Sequence, residues 1–416
     1  MASLFHSLLR FLKAKARRSK LPVLDLSEDL LWEILLRIGS PADLIRASAA
    51  CVTFRRLIAD PCFLRRYRSI HPPLLLGFLG NRSTCSGTSG FQPVEAPHPN
   101  APVARALPRA SHFRLDSYLP ARRNRWDYCD ACDGRVLVNC IRELHGEFNF
   151  LHVELAVCDP LSCRWLLLPP IPDDLVASVQ VQERNIVRFW PFWTFLVPCR
   201  GEDDETLFRV IAVTDCVTKL VVFVFSSDSG SWSLGTSRNW VDLNVPHDIS
   251  TMRRHKPQCA HGFFFWRVNP TKLLKLDTAM MELSTDNLPP VHHYDLHLVI
   301  VEAGEDRLAL FSQNSDDTLL NYYTTVQNKN KGYEWQMMNV IPKPVPYDDF
   351  AICAGAQGYI FLVGFPKSRY TFNGDGVCFS LEVKTLKIER VSKMKLEYYY
   401  LLPFIGYPPA MSPRVI

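Results

Sequence analysis

Five segments of this 416-residue chain share one pattern, a pair of short apolar strands joined by a tight polar turn. They are LAVCDPLSCRWLLLP from Leu155, VVFVFSSDSGSWSLG from Val221, KLLKLDTAMMELS from Lys272, LLNYYTTVQNKNKGYEWQMMNVIP from Leu319 and VCFSLEVKTLKIERV from Val377. Aligned on Trp165, Trp232, Met281, Trp335 and Ile388, they recur at steps of 67, 49, 54 and 53 residues. The long first step places an insertion around Trp190 to Asp204. Companion strands lie between the hairpins: GRVLVNC, FRVIAVT, GFFFWRV, RLALFS and GYIFLVG.

Each unit of about 50 residues thus supplies around four strands, the size of a kelch-like propeller blade. Residues 125–410 are expected to form one all-β propeller of about six blades, followed by a short tail at 411–416.

Residues 21–70 follow different rules. Ser27 caps a predicted helix with Glu28 and Asp29 in its first turn, where acids suit the helix dipole. Asp29, Glu33 and Arg37 form its exposed stripe, with Glu33 placed to pair with Arg37 one turn on. The remaining positions, Leu30, Leu31, Trp32, Ile34, Leu35, Leu36 and Ile38, make an apolar surface too wide for one core, so this helix needs burial on two sides. Ser40, Pro41 and Asp43 start a second helix, and Asp60 with Pro61 a later one. About 45 residues of helix make a meagre core, and the module wants a partner.

Residues 1–20 read as a basic, acid-free leader, and 71–124 as a linker or strap whose Ser, Gly and Pro content breaks regular structure. The fold class is therefore α+β and multidomain: a small all-α module, then an all-β propeller.

The net charge of +5 divides into +12 over residues 1–125 and −7 over 126–416. The larger domain lacks the basic face that nucleic-acid binding requires. Thirteen cysteines without regular spacing point to reduced thiols, hence nucleus or cytoplasm, with organelle import through the leader as the alternative. The richest apolar run, Phe189 to Val197, is broken by Pro191, so no membrane span is expected.

Motifs for chemistry are sparse. Cys129 and Cys132 form a single Cys-x-x-Cys pair without a second. His293 and His297 sit in an alternating strand, about 13 Å apart at ~3.3 Å per residue, too far to share an ion. Nucleotide loops and hydrolase signatures do not occur. No metal, cofactor or catalytic residue is expected. The aromatic run Phe189, Trp190, Phe192, Trp193 and Phe195 reads either as strand core or as a ligand platform.

The stretch from Leu21 to Leu79, with its first helix, SPADL turn, RASAAC stretch and DPCFLRRYR helix, resembles the F-box of plant F-box proteins. The repeats, with DGRVLV at Asp133 and SLEVKTLKIERV near the end, look like the F-box-associated β-propeller of the grass members. Two residues depart from the pattern: Ser27 stands where the family usually has proline, and Phe54 where it usually has tryptophan.

The resemblance implies a non-catalytic substrate receptor of a Skp, cullin and F-box ubiquitin ligase. Its Skp-type adaptor would dock on Leu26, Leu30, Leu31, Ile34, Leu35, Leu44 and Phe54, and through that adaptor it would reach a cullin. The target protein, whose identity the sequence does not give, is expected on propeller loops near Trp190, Trp193, Asp203, Asp204, Tyr347 and Asp348, where aromatic residues sit beside acids. The alternatives are an adaptor-independent interaction scaffold and a propeller hydrolase, which would need carboxylates converging on the channel.

Overall fold

In a computed structural model the chain divides into two compact units, Met1–Pro73 and Leu74–Ile416. The structure describes residues 26–407 apart from 40, 72, 83–89, 106–112, 114, 116–118, 121–125, 145–146, 162, 180–192, 199–206, 217, 246–255, 290–296, 305, 314–318, 329–331, 345–346, 348, 366–374 and 396–397. The basic leader, Ser40 and the C-terminal tail lie outside the described residues.

The first unit holds helices α1 (Glu28–Leu36), α2 (Pro41–Ser48), α3 (Val52–Ile58) and α4 (Pro61–Ile70). Three of them start on a side chain that accepts an otherwise orphaned N–H. Ser27 accepts from Leu30 at 3.4 Å, and Asp60 Oδ1 accepts from Cys62 and Phe63 at 2.7 and 3.2 Å. Cys51 Sγ does the same for Phe54 at 3.4 Å. The core is built from Leu31, Leu35 and Leu36 of α1, Leu44 of α2, Leu57 and Ile58 of α3, and Phe63 and Tyr67 of α4. Trp32 meets Phe63 edge to face at 5.5 Å, and the Tyr67 hydroxyl donates to the Ile38 carbonyl at 2.7 Å. Glu33 accepts from Arg66 of α4 at 2.9 Å, which corrects its expected pairing with Arg37: the approach of α4 brings a cation closer than the next turn of its own helix.

The second unit is a six-bladed all-β propeller. Five blades are four-stranded antiparallel sheets of consecutive strands. Blade 1 is β3 (Trp126–Cys132), β4 (Arg135–Leu144), β5 (Glu147–Asp159) and β6 (Arg164–Leu167). Blade 2 is β7 (Trp193–Val197), β8 (Arg209–Asp215), β9 (Lys219–Ser226) and β10 (Ser231–Asn239). Blade 3 is β11 (Gln258–Ala260), β12 (Phe263–Asn269), β13 (Lys272–Asp277) and β14 (Leu283–Asn287). Blade 4 is β15 (His297–Glu302), β16 (Leu308–Gln313), β17 (Leu319–Asn328) and β18 (Gly332–Pro342). Blade 5 is β19 (Asp349–Ala356), β20 (Tyr359–Phe365), β21 (Asp375–Glu382) and β22 (Ile388–Lys395).

The sixth blade is composite. Strands β1 (Leu74–Arg82) and β2 (Gly90–Pro93) pair in the order β2-β1-β23 with β23 (Tyr398–Gly406), Leu74 lying opposite Gly406. This corrects the reading of 71–124 as a linker: β1, β2 and the short helix α5 (Ala101–Arg105) belong to the propeller. Phe78 packs edge to face on Phe361 of β20, and Val94 and Ala104 join the same apolar cluster.

The second strand of each consecutive blade is buried on both faces, and the fourth is largely exposed in blades 1 to 4, while β22 of blade 5 buries Val391, Ser392 and Met394. Arg209–Asp215 is buried beyond its first residue, whereas only Leu283 of Leu283–Asn287 is buried. Continuous apolar runs such as VIAV and IFLV follow from that placement between two neighbouring blades.

The five repeated hairpins are the third and fourth strands of the five consecutive blades. Their equivalence needs one correction. Cys158 opposes Trp165, Phe225 opposes Trp232, Leu381 opposes Ile388, and the matching pair in blade 3 is Leu276 with Leu283, not Met281. Met281 is the left-handed turn residue, φ 53°, equivalent to Cys163, Gly230 and Leu386. With Leu283 in place, the steps from Trp232 to Leu283 to Trp335 become 51 and 52 residues. Part of the long first step is a short helix α6 (Asp173–Ser178) between blades 1 and 2.

Candidate functional site

Two features of the described residues are built for contact or chemistry, one on each unit. On the helical unit, the expected adaptor residues divide. Leu31, Leu35 and Leu44 lie in the module's own core at 2, 2 and 0% exposure, and Phe54 is partly buried. Leu26, Leu30 and Ile34 stand out at 37, 53 and 41%. Leu30 and Ile34, four residues apart, lie on one line of α1, and Leu26 sits just before its extended N-cap Ser27. Val52 of α3 is 79% exposed. Most of a wide apolar helix is therefore satisfied within the unit, and a narrow strip of branched side chains is left over.

On the propeller, the inner strands ring a channel. β23 lies beside β3, β3 beside β7, β11 beside β15, β15 beside β19 and β19 beside β23. Phe195 of β7 reaches Phe264 of β12 at 5.8 Å across the remaining step. A cavity of about 340 Å³ opens at this centre, lined from all six blades. Two-residue turns with positive φ at both positions, Asp133-Gly134, His261-Gly262 and Gln357-Gly358, join first to second strands in blades 1, 3 and 5. Their geometry matches the twist of the strands they link, and glycine tolerates the second position without strain.

Charge in the cavity is concentrated on the side of blades 1 to 3. Asp130 Oδ2 of β3 accepts from the Leu196 N–H of β7 at 2.9 Å, and Lys256, just before β11, donates to the Cys129 carbonyl. Burial raises the Asp130 carboxyl above its usual range, while the Lys256 ammonium and the N–H groups of Leu196 and Ala131 hold it back. Burial likewise lowers Lys256, against the pull of Asp130 and Cys129. This pair stitches three inner strands together. Asp133 and Glu302 also line the cavity, so Glu302, distant in sequence, shares it with the neighbouring Asp130 and Asp133.

The thiols beside them are poor nucleophiles. Burial pushes Cys129 up to about 12 and Cys132 well above the ordinary thiol value, the reverse of what activates a cysteine. Among the described residues no group of three or more His, Cys, Asp or Glu side chains could hold a metal ion.

Of the expected target-binding residues, Trp193 and Tyr347 are among those described, on blade 2 and just before blade 5. Trp190, Asp203, Asp204 and Asp348 lie outside the described residues, as does His293. Trp193 is on β7 in blade 2, packed against the core shared with blade 3, where Phe195 is 5% exposed. Tyr347 is the edge partner of Phe350 and Phe379 at 5.7 and 5.6 Å in blade 5. Both serve packing, as aromatic residues at strand ends commonly do.

No family model and no curated protein matches the chain. Among solved structures it is similar to the TolB protein of Acinetobacter baumannii, at 9% identity and a TM-score of 0.32 over 62% of this chain, and it spans about half, 52%, of that protein. It is also similar to the six-bladed fucose-recognising lectin of Aleuria aurantia, at 11% identity and a TM-score of 0.33, covering 64% of this chain and 77% of the lectin. The WD40 domain of SCAP from fission yeast is 10% identical with a TM-score of 0.32, covering 66% of this chain and 75% of that domain. At these identities and scores none of the three says what this chain binds. No helix among the described residues is long and apolar enough to cross a membrane.

Proposed function

We propose that the chain is the substrate-recognition subunit of a Skp, cullin and F-box ubiquitin ligase, working in the nucleus or cytoplasm. The helical unit docks on a Skp-type adaptor and the propeller holds the protein to be modified. It catalyses nothing itself and supplies proximity, so that ubiquitin transfer becomes effectively intramolecular.

The observation that carries this reading is that Leu30 and Ile34 of α1, and Leu26 just before it, are left exposed while Leu31, Leu35 and Leu36 of the same helix are buried. Three exposed branched apolar side chains close together in sequence cost solubility and gain nothing within the unit, which favours a partner surface above them. The resemblance of residues 21–79 to an F-box supplies the partner.

The test is co-purification of the full chain with a Skp-type adaptor. An uncompensated charge in such a contact costs roughly 3 kcal/mol, about a hundredfold in affinity. Ile34→Asp should lose the adaptor, and Leu234→Asp, at an exposed propeller position, should keep it. Recovery of the adaptor by Ile34→Asp at wild-type yield would overturn the site. Failure of the unaltered chain to co-purify would leave the adaptor-independent scaffold as the better reading.

A further inference from the structure

A second cavity, about 900 Å³, lies between blades 3 and 4, away from the channel. It is the place where the apolar cluster between these blades, with Phe265, Leu273, Leu310 and Tyr323, opens outward. Phe263 and Phe265 of β12 line it from blade 3, and Tyr333 and Trp335 of β18 from blade 4. Trp335 Nε1 donates to the Asn287 carbonyl at 3.1 Å and so ties one wall to the other. Tyr333 is 63% exposed, a large ring with most of its surface in water.

Among the described residues the charged lining is mainly acidic: Asp286, Asp306 and Glu334 are in it, and Lys275 is the single lysine or arginine among them. Lys275 Nζ lies 4.5 Å from the centroid of the Phe263 ring and 3.7 Å from Asp286 Oδ2. The groove thus already holds one ammonium between an aromatic face and a carboxylate, a favourable setting for a cation. Its volume falls in the range of true binding pockets, roughly 300–1,000 Å³. The propeller residues 126–416 add a background of −7.

We propose that this groove receives a basic, extended segment of a partner protein, its lysine or arginine side chains drawn by Asp306 and Glu334 and laid on the Tyr333 ring. The proposal rests on the propeller being the protein-binding half of the chain, and it is independent of adaptor docking. A segment of this kind repeats, with added cations, the arrangement that Lys275 makes internally.

The full chain is titrated with a fluorescent peptide alternating lysine and serine, and with its glutamate counterpart, by anisotropy. The lysine peptide should bind, more weakly as salt rises, and the glutamate peptide should not. Asp306→Lys with Glu334→Lys should weaken binding at least about tenfold, and Tyr333→Ala alone by a similar factor. Asp228→Lys with Asp242→Lys makes the same change of net charge on blade 2 and should leave affinity unchanged. Equal weakening by the two charge-reversed pairs would reduce the effect to diffuse charge and overturn the groove, as would equal binding of both peptides. Saturable binding of a neutral oligosaccharide in place of the lysine peptide would overturn it too. A chain that binds the peptide but not the Skp-type adaptor sinks the ligase reading and keeps the groove; the reverse pattern sinks the groove alone.

Discussion

Cys129, Cys132 and Cys378 give this protein a calculable response to alkali. Burial lifts Cys129 to about 12 and the other two well above the ordinary thiol value. In the unfolded chain each thiol ionises near pH 8.5 to 9, while the folded form keeps its proton, so above that pH the unfolded state binds fewer protons and stability falls as pH rises. The slope approaches about 1.4 kcal/mol per pH unit for each such thiol, up to its folded pKa. Lys256, lowered by burial, acts in the opposite direction once the pH exceeds its folded value. Urea unfolding between pH 8 and 11 should show declining stability. Cys378→Ala should flatten that decline, because Cys378 has only Cys353 as an electrostatic neighbour and leaves Lys256 untouched. An unchanged slope in the variant would contradict the assignment. At this scale the sequence showed that α1 carries too much apolar surface. It could not show that Leu31 and Leu35 turn inward and Leu30 and Ile34 outward, because that division is set by where α3 and α4 pack.

The recurring hairpin is the unit that organises the blades. In blades 1, 2, 3 and 5 its loop ends on a residue of positive φ: Cys163 at 56°, Gly230 at 65°, Met281 at 53° and Leu386 at 56°. Glycine holds this conformation freely and other residues at a cost. Met281 and Leu386 recover part of that cost by packing on neighbouring clusters, but Cys163 is exposed. Cys163→Gly should therefore stabilise the propeller by about 0.5–1 kcal/mol, read from the urea midpoint at constant m-value. A lower midpoint would mean that the thiol contributes more than its geometry indicates. The hairpins were legible in the sequence because period-2 patterning and polar turns are local signals. The register of the blade 3 hairpin was not, since a methionine in the turn reads like the large apolar residue two places later. Strands β1 and β2 were missed for a different reason: their partner β23 lies at the other end of the chain, and short Gly-containing strands look like linker until that partner is known.

At the scale of the whole propeller, closure depends on the composite blade. Phe91 stacks on Phe113 at 3.9 Å, and both meet Phe404 of β23 edge to face. A truncation starting at residue 126, which keeps every strand the sequence repeat identified, removes β1, β2 and these rings together. It leaves β23 without its hydrogen-bonding neighbour and opens apolar faces on two sides. Such a fragment should lose near-ultraviolet dichroism and cooperative melting, as should one ending at residue 397. A sharply melting 126–416 fragment would show that five blades suffice.

The pairing of Leu74 with Gly406 also sets a timetable for synthesis. Translation proceeds at roughly 5–20 residues per second, so β1 emerges from the ribosome roughly 15 to 65 s before the strand it must pair with. Throughout that interval Leu75, Leu76, Phe78 and Leu79 have no finished blade to enter, and β1 offers an unpaired edge to any other nascent chain nearby. Cells that make this protein must shield one short hydrophobic strand for most of the time its propeller takes to be translated, and its yield should follow the supply of chaperones that bind such strands.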